Sequence, residues 1–361
     1  MKSKDLLFTS ILILFSLFFI ILLDLILSNS VLKYHNCIKF EKYYYELKKN
    51  CIGKHRFKKS FPITKIITDE FGQRIGKNSS IKDKRKKNIF LFGDSFTYGV
   101  GLDYENTYAG LIENKKNDYN IYNFAVGSYS PSVHLYKLKK FINNKIFPNK
   151  IILFLDLTDV IDEAERWNYD VNLEKLQLNS SYIYEESLKK EKFFKKNFKV
   201  LTNISSYLNF YLRNLRDKVN IELRNKRKIK TSVQGSFTYT GLNSLNKNFW
   251  DEESFLKGTN LIKKRIEQIS KISKKYNSEF YLVIYPWAET LEFGQDVFSW
   301  SEFAKNACGN EKCILIDTIP TFLKYKSERK TWSTDLYFLN DEHFNKKGAK
   351  LLFEDVIKKI N

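Results

Sequence analysis

A serine follows a short apolar run in the segment FLFGDSFTYGVG, which covers residues 90–101. The run ends at a glycine, and Asp94, Ser95 and Thr97 come directly after it. A serine hydroxyl is a weak nucleophile until a neighbouring base takes its proton and a third group orients that base. The segment therefore predicts a nucleophilic serine, if the chain supplies the base and the third group.

The base must be one of four histidines, which are His35, His55, His134 and His343. The first two lie in a basic stretch ahead of the serine, and His134 falls within a predicted helix, where we expect it on the surface. His343 lies in NDEHFNKKGAK, before the last predicted helix, and Asp341 precedes it by two residues. We therefore predict that His343 is the base and Asp341 its hydrogen-bond partner. The alternative is that DEHFN only begins the helix.

Strand-like and helix-like segments alternate along the chain after residue 86, which is typical of a parallel sheet with helices on both faces. The predicted strands are 88–92, 119–124, 150–155, 279–285 and 313–316. The predicted helices are 106–112, a helix opened by Ser130 and Pro131, 254–275, and a final helix capped by Asn345. In such sheets ligands bind beyond the carboxyl ends of the strands, and Ser95 comes just past the end of the first strand.

Four segments together resemble the sequence blocks of the SGNH, or GDSL-type, esterases and acyltransferases. FLFGDSFTYG is similar to the first block and NFAVGSYSP to the second, LDLTDV stands where the third belongs, and DEHFNKKG matches the last. The resemblance covers residues 87–361. It implies a flavodoxin-like α/β/α sandwich that hydrolyses or transfers an ester-linked acyl group, with Ser95 as nucleophile, His343 as base and Asp341 as its partner. Such a site needs no metal or organic cofactor, because serine, histidine and oxyanion donors suffice.

The last block departs from the common family spacing. That spacing is Asp-x-x-His, whereas Asn340 stands three residues before His343 and the nearest acid is Asp341. The Asp341-x-His343 pattern, followed by an aromatic residue, looks more like the branch that O-acetylates exported polysaccharides.

The resemblance implies an oxyanion hole formed by Ser95, Gly127, Ser128 and Thr158. Ser128 aligns with the usual glycine of the second block, with Gly127 shifted by one, and Thr158 replaces an asparagine that normally donates to the oxyanion. Losing one such donor typically costs about 10²–10³ in rate, unless the Thr158 hydroxyl substitutes. Two further residues are weaker candidates for substrate binding: Trp287 either stacks on a sugar ring or packs in the core, and Asp159 either binds substrate or caps a helix.

The N-terminal residues 1–29 are predicted to anchor the chain in a membrane. Eighteen residues from Leu6 to Leu23 carry no charge, about the length that spans a bilayer. Ser28 and Ser30 resemble a signal-peptide cleavage site, which is the alternative. Long domains cross a membrane largely regardless of flanking charge, so we place the rest of the chain outside the cytoplasm, in the periplasm or at the cell surface.

Four cysteines form two local pairs in the sequence, Cys37 with Cys51 and Cys308 with Cys313. Each pair would close a short loop, as suits an oxidising compartment, although four cysteines allow three connectivities. Zinc binding is the competing interpretation, but neither pair has C-x-x-C spacing.

The net charge of +20 over 361 residues does not indicate a nucleic-acid partner, because the lysines are spread along the chain and no basic-aromatic motif accompanies them. Residues 30–86 are basic and aromatic with a predicted hairpin near Gly72, and residues 168–250 are predicted to be an insertion over the sheet, as a lid or docking surface.

The sequence predicts a membrane-anchored serine esterase or acyltransferase acting on O-acyl, and specifically O-acetyl, groups of a cell-surface or exported glycan. The rivals are a lipid esterase and a glycan-binding accessory protein with a decayed site.

Overall fold

The structure is a computed structural model. It describes residues 3–30, 37–41, 43–57, 61–79, 81–179, 252–295, 298–309, 311–338 and 341–360, together with residues 197–198, 200–201, 204 and 208. The chain divides into two compact units, Met1–His35 with Tyr184–Thr231, and Asn36–Ile183 with Ser232–Asn361.

The first unit contains one long apolar helix, α1 (Ser3–Ser30). Within it Leu7–Leu27 gives 21 residues that are apolar enough to cross a membrane, although signal sequences share these features. Asp24 of this helix accepts hydrogen bonds from the backbone N–H groups of Val200 and Leu201, each at 2.9 Å. These two residues of the predicted insertion therefore contact α1.

The second unit is built on a five-stranded parallel sheet. Its strands, in chain order, are β6 (Lys87–Phe92), β7 (Tyr119–Asn123), β8 (Lys150–Leu155), β11 (Glu279–Ile284) and β12 (Ile314–Asp317). The spatial order is β12-β11-β8-β6-β7, and every neighbouring pair is parallel. Numbered by chain order among these five, the strands run 2-1-3-4-5, which is the flavodoxin-like order. The central strands are apolar on both sides because helices cover both faces of the sheet.

The helices of this unit pack as a layer on each face of the sheet, which confirms the predicted α/β/α sandwich. They are α2 (Ser95–Tyr98), α3 (Tyr108–Lys115), α4 (Pro131–Asn143), α5 (Thr158–Ile161), α6 (Glu252–Lys275), α7 (Ala288–Phe293), α8 (Trp300–Cys308), α9 (Ile319–Glu328), α10 (Trp332–Leu336) and α11 (Lys346–Ile357). Helix α6 packs against α4 and α8, and α11 against α3. Helix α3 begins later than predicted, because Tyr104–Asn106 is a 3₁₀ turn and Thr107 caps α3 by accepting the Gly110 N–H at 3.0 Å.

The polypeptide before the sheet forms small antiparallel sheets within the same compact unit. The strands are β1 (Ile38–Phe40) with β2 (Tyr45–Leu47), and β3 (Ile52–His55), β4 (Thr64–Thr68) and β5 (Arg74–Ile75). The predicted turn between β4 and β5 is present at Gly72, whose φ of +76° favours glycine. These small sheets and the five-stranded sheet thus belong to one compact unit. A further hairpin pairs β9 (Trp167–Asp170) with β10 (Lys175–Leu178) at the start of the predicted insertion.

Candidate active site

The nucleophile candidate stands on a tight turn at the carboxyl end of β6. Asp94 accepts the Phe96 N–H at 2.9 Å and so caps α2 (Ser95–Tyr98), and Gly99 follows the helix as its C-cap with a φ of +80°. A Cβ on Gly93 would lie 1.9 Å from the Thr97 hydroxyl oxygen, so only glycine fits between the strand and the helix. The residue types of the segment GDSFTYG are thus explained by local geometry, because the glycines and the aspartate form the turn that presents the serine.

Ser95 lies beside the predicted base and its partner. The Ser95 Oγ is 2.8 Å from His343 Nε2, and His343 Nδ1 is 2.5 Å from Asp341 Oδ1. Asp341 Oδ1 also accepts the backbone N–H of His343 at 3.0 Å, which fixes the carboxylate against the ring. The Ser95 hydroxyl is also 3.0 Å from Asp94 Oδ2, so Asp94 is a second acceptor for the same proton. The order of atoms is that of a nucleophile, a general base and an orienting acid.

The loop that carries the histidine is held at both of its ends. Phe338 donates its N–H to the His343 carbonyl at 2.9 Å, and Tyr337 pairs with Phe344 in an antiparallel bridge. Asn345 then caps α11 by accepting the N–H of Lys347 at 2.9 Å. The polar residues of DEHFNKKG therefore both begin a helix and supply the base, so the two interpretations of this segment are not exclusive.

The environment of His343 favours its protonated form. Burial by itself lowers the pKa of His343, but the hydrogen bond with Asp341 and the negative charges of Glu342, Asp341 and Asp94 outweigh it, and the pKa is raised above the ordinary value of 6.5. A base of this kind holds the proton it takes from Ser95 more firmly than a free imidazole does. It must also be neutral to accept that proton, so it is competent only above its raised pKa.

Aromatic rings surround the imidazole. Phe96 stacks on it with ring centroids 4.7 Å apart, and Phe57 and Phe61 approach edgewise at 5.2 and 6.2 Å. Phe57 and Phe61 come from the segment between β3 and β4, which sequence reasoning kept apart from the site. The signal available was only the aromatic character of HRFKKSF, which does not reveal its partner.

The second-block loop lies next to Ser95. A Cβ on Gly127 would come 3.8 Å from the Ser95 Cβ, and Ser128 adopts a φ of +59°. Tyr45 donates to the Gly127 carbonyl at 2.7 Å and Trp167 donates to the Ser128 carbonyl at 2.6 Å. In the part of the chain that the structure describes, the backbone N–H groups of Ser95, Gly127 and Ser128 find no acceptor. Because a trans peptide points its N–H opposite its carbonyl, the Ser128 N–H faces away from Tyr45.

One buried carboxyl, that of Asp156, forms hydrogen bonds with residues of the third block. Sequence reasoning missed this residue. The Thr158 hydroxyl donates to Asp156 Oδ1 at 2.5 Å, and Trp287 Nε1 donates to Asp156 Oδ2 at 3.0 Å. Asp159 accepts the Asp156 N–H at 2.8 Å. The Thr158 hydroxyl hydrogen is thus engaged by Asp156 in this structure.

The same packing weighs against the two predicted substrate contacts. Trp287 is 3% exposed and Asp159 is fully buried, so neither side chain offers a surface to a substrate in this structure. Burial and then the charge of Asp94 raise the pKa of Asp156 to about 8, and burial raises the pKa of Asp159. Burial thus favours the neutral form of both carboxyls.

Asp341, Glu342 and His343 are the described residues that come close enough to share a metal ion, with ligand atoms within 4.8 Å of one another. The hydrogen bond between His343 Nδ1 and Asp341 Oδ1 already joins two of those atoms. The arrangement fits an acid–base pair better than a metal centre.

The remaining residues singled out from the sequence lie away from the nucleophile. Disulfides join Cys37 to Cys51 and Cys308 to Cys313, with Cα atoms 5.8 and 4.9 Å apart. His134 was expected on the surface but is fully buried, because its side of α4 faces the core. Burial lowers the pKa of His134 to about 3, so it is a neutral core residue.

Comparisons with known proteins bear on the class of this chain. Residues 1–302 match a family described as "Protein of unknown function (DUF1574)", and the chain belongs to this family. The matched region includes Ser95 and ends before Asp341 and His343. A search of the curated proteins finds no match.

Several solved structures of ester-cleaving proteins are similar to this chain at low identity. A member of the lipolytic protein G-D-S-L family from Veillonella parvula is 11% identical over 76% of this chain and 98% of its own, with a TM-score of 0.40. An acetylxylan esterase from Geobacillus stearothermophilus is 12% identical over 78% and 96%, with a TM-score of 0.39. A psychrotrophic esterase from Pseudoalteromonas is 11% identical over 76% and 97%, with a TM-score of 0.35.

Proposed function

We propose that this protein is an SGNH-type serine esterase or acyltransferase. The observation that carries the proposal is the row of hydrogen bonds from Ser95 Oγ to His343 Nε2, at 2.8 Å, and from His343 Nδ1 to Asp341 Oδ1, at 2.5 Å. His343 is buried, Ser95 and Asp341 are partly exposed, and Ser95 lies beside the loop of Gly127, whose N–H groups are the oxyanion donors we propose. A structural role alone does not require a nucleophile, a base and an orienting acid in this order.

The reaction begins when Ser95 Oγ attacks the carbonyl carbon of an ester while its proton moves to His343 Nε2. The carbonyl oxygen becomes an oxyanion, for which the backbone N–H groups of Ser95, Gly127 and Ser128 are the donors we propose. Asp341 holds the imidazolium through Nδ1. The intermediate collapses to an acyl-Ser95 ester as His343 returns the proton to the leaving alcohol.

The second half of the reaction decides between hydrolysis and transfer. A water molecule, or the hydroxyl of an acceptor, attacks acyl-Ser95 and loses its proton to His343, which then protonates Ser95 as the acid or the new ester leaves. Ser95, His343 and the proposed oxyanion donors serve hydrolysis and transfer equally. The acceptor is therefore chosen by what surrounds His343.

We propose an O-acetylated cell-surface or exported glycan as the substrate, with the catalytic unit held at a membrane outside the cytoplasm by α1. The support is the Asp341-x-His343 pattern, the length of the apolar segment Leu7–Leu27, and two disulfides, which persist in oxidising compartments. A lipid esterase is the second candidate, since the same apolar helix would hold the site near lipid.

The experiment compares p-nitrophenyl acetate hydrolysis by the full chain in detergent with that of Ser95→Ala, His343→Ala and the exposed control Ser333→Ala. The first two variants should lose activity and the control should keep it. Full activity in Ser95→Ala would exclude the proposed nucleophile. Preference for long-chain over acetyl esters would favour the lipid candidate, and acetylated oligosaccharide detected by mass spectrometry would establish transfer.

A further inference from the structure

Phe57 presents an exposed aromatic ring directly beside the catalytic histidine. Its ring lies 5.2 Å from that of His343 at an interplanar angle of 69°. Phe57 is 40% exposed, whereas His343 is 3% exposed. Of these two neighbouring rings, Phe57 therefore belongs to the more exposed residue.

A second ring supports Phe57 in this position. Phe61 is 3% exposed; it packs edgewise against Phe57 at 5.8 Å and in a tilted arrangement against Phe338 at 4.6 Å. A buried aromatic neighbour restricts how an exposed ring can move. Phe57 is thus a partly exposed ring that packs on a buried aromatic neighbour. Such a ring can form an aromatic wall of a ligand site.

The chemistry of the site assigns this wall to one side of the substrate. His343 Nε2 delivers the proton to the leaving alcohol, so the alcohol half of the ester passes the imidazole, while the acyl half lies towards Ser95 and the oxyanion donors. A residue in contact with the imidazole therefore adjoins the alcohol. In transfer, the acceptor hydroxyl approaches along the same path, because it gives its proton to the same nitrogen.

A partly exposed aromatic ring such as Phe57 fits an alcohol that is itself ring-shaped. The C–H groups on one face of a pyranose can cover an aromatic ring and remove its apolar surface from water, whereas an open-chain alcohol covers less of it. Trp287, the aromatic residue that the sequence suggested for this purpose, is 3% exposed and bonded to Asp156. Phe57, at 40% exposed, is the more accessible of the two residues.

We propose that Phe57 determines the specificity of this site for the alcohol half of the ester and that it binds a pyranose ring. The proposal rests on the esterase or acyltransferase function proposed above. It also explains why the segment between β3 and β4 belongs to the same compact unit as the sheet: this segment supplies the acceptor side of the active site.

The test uses two esters that share the acetyl group and differ in the shape of the alcohol. These are a mono-O-acetylated methyl glucopyranoside and 1-O-acetylglycerol, a polyol without a ring. Acetate release by the full chain in detergent is measured for the wild type, Phe57→Ala, Phe57→Tyr and Phe147→Ala. Phe147 is the matched control, because it is also 40% exposed and packs against Tyr276 instead of the active site.

Phe57→Ala should lower kcat/KM for the acetylated glucoside about fivefold to tenfold, mainly through KM, and that for acetylglycerol by less than about twofold. Phe57→Tyr should restore the glucoside value because it keeps the ring, and Phe147→Ala should change neither substrate. Equal losses on both esters would overturn the proposal, since they would mean that Phe57 only supports His343. Unchanged turnover of the glucoside by Phe57→Ala would overturn it as well. Failure of the wild type to release acetate from either ester would refute the proposed function itself, and the inference with it.

Discussion

Replacing Asp341 by asparagine removes one charge from the site and keeps the size of the side chain. Asp341 Oδ1 is 2.5 Å from His343 Nδ1, and the two side chains are 1% and 4% exposed. During attack by Ser95 the imidazole becomes an imidazolium. The carboxylate then forms a buried ion pair with it, whereas in the resting enzyme the two groups share only a hydrogen bond. The substitution should therefore lower the rate of the chemical step more than it lowers substrate binding.

The size of the effect follows from the burial of the pair. Removing one partner of a buried ion pair typically costs about 3–5 kcal/mol, and about 1.36 kcal/mol corresponds to a tenfold change in rate. We therefore expect kcat for p-nitrophenyl acetate to fall by about 10²–10⁴ in Asp341→Asn. KM should change little, because Asp341 contacts the base and not the ester.

The pH dependence of activity gives a second, independent test of the role of Asp341. His343 must be neutral to accept the Ser95 proton, so activity rises as pH rises through the His343 pKa, which lies above 6.5 in the wild type. Asparagine removes the hydrogen bond to a charged group and its negative charge, while burial, which lowers the pKa of His343, remains. The ascending limb should therefore move to lower pH in Asp341→Asn.

Glu342→Gln is the matched control, because Glu342 is the neighbouring acid and its Oε1 lies 3.7 Å from His343 Nδ1 with a side chain that is 32% exposed. A solvent-screened pair of this kind is worth at most about 1 kcal/mol, so its loss should cost about fivefold or less. The assay is stopped-flow and steady-state release of p-nitrophenol from pH 5 to 9. If the wild type and Asp341→Asn had similar kcat values and similar ascending limbs in their pH profiles, Asp341 would not be the acid that orients His343. A larger loss in Glu342→Gln would transfer the role to Glu342.

Three further predictions concern the support of the site. Arg74 is fully buried and donates to the backbone carbonyls of the turn that follows the nucleophile, so Arg74→Met should lower the free energy of unfolding by about 3 kcal/mol, and an unchanged urea midpoint would contradict this. Thr158→Val should lower kcat by less than about tenfold, because the Thr158 hydroxyl donates to Asp156, whereas a loss of about 10²–10³ would restore the oxyanion role. Peptide mass spectrometry without reduction should find Cys308 linked to Cys313 in protein from its native compartment, and two free thiols there would argue against an extracytoplasmic catalytic unit.

The parts of the fold and site that the sequence predicted are those built from local interactions. The turn at Ser95 depends on Gly93, on the capping Asp94 and on the strand before it, all within a few residues. Asp341 and His343 are also close in sequence, and the backbone between them sets their geometry. The strands could be placed because buried parallel strands are continuous apolar runs.

The features that the sequence did not predict depend on contacts between distant segments. Thr158 and Trp287 have the residue types of an oxyanion donor and a sugar platform, but Asp156 engages both of them, and nothing in LDLTDV reveals this pairing. Phe57 is one phenylalanine among 30, and only the path of the chain after β3 brings it to His343. Residue type gives a candidate role, while packing decides whether the side chain is available for it.

Other predictions stay open. Asn340, the position of the common family acid, and most of the predicted insertion at 168–250 lie outside the described residues. The oxyanion donors, the anchor in a membrane and the glycan substrate remain proposals that the experiments above address.

The most direct test of the central claim is covalent labelling of the folded full chain with a fluorophosphonate, followed by peptide mass spectrometry. An activated serine attacks this reagent, while an ordinary surface serine does not. We expect a single adduct on the peptide that contains Ser95, its absence in Ser95→Ala, and much slower formation in His343→Ala. No adduct on the wild type, or an adduct on another serine, would contradict the claim that His343 activates Ser95 as the nucleophile.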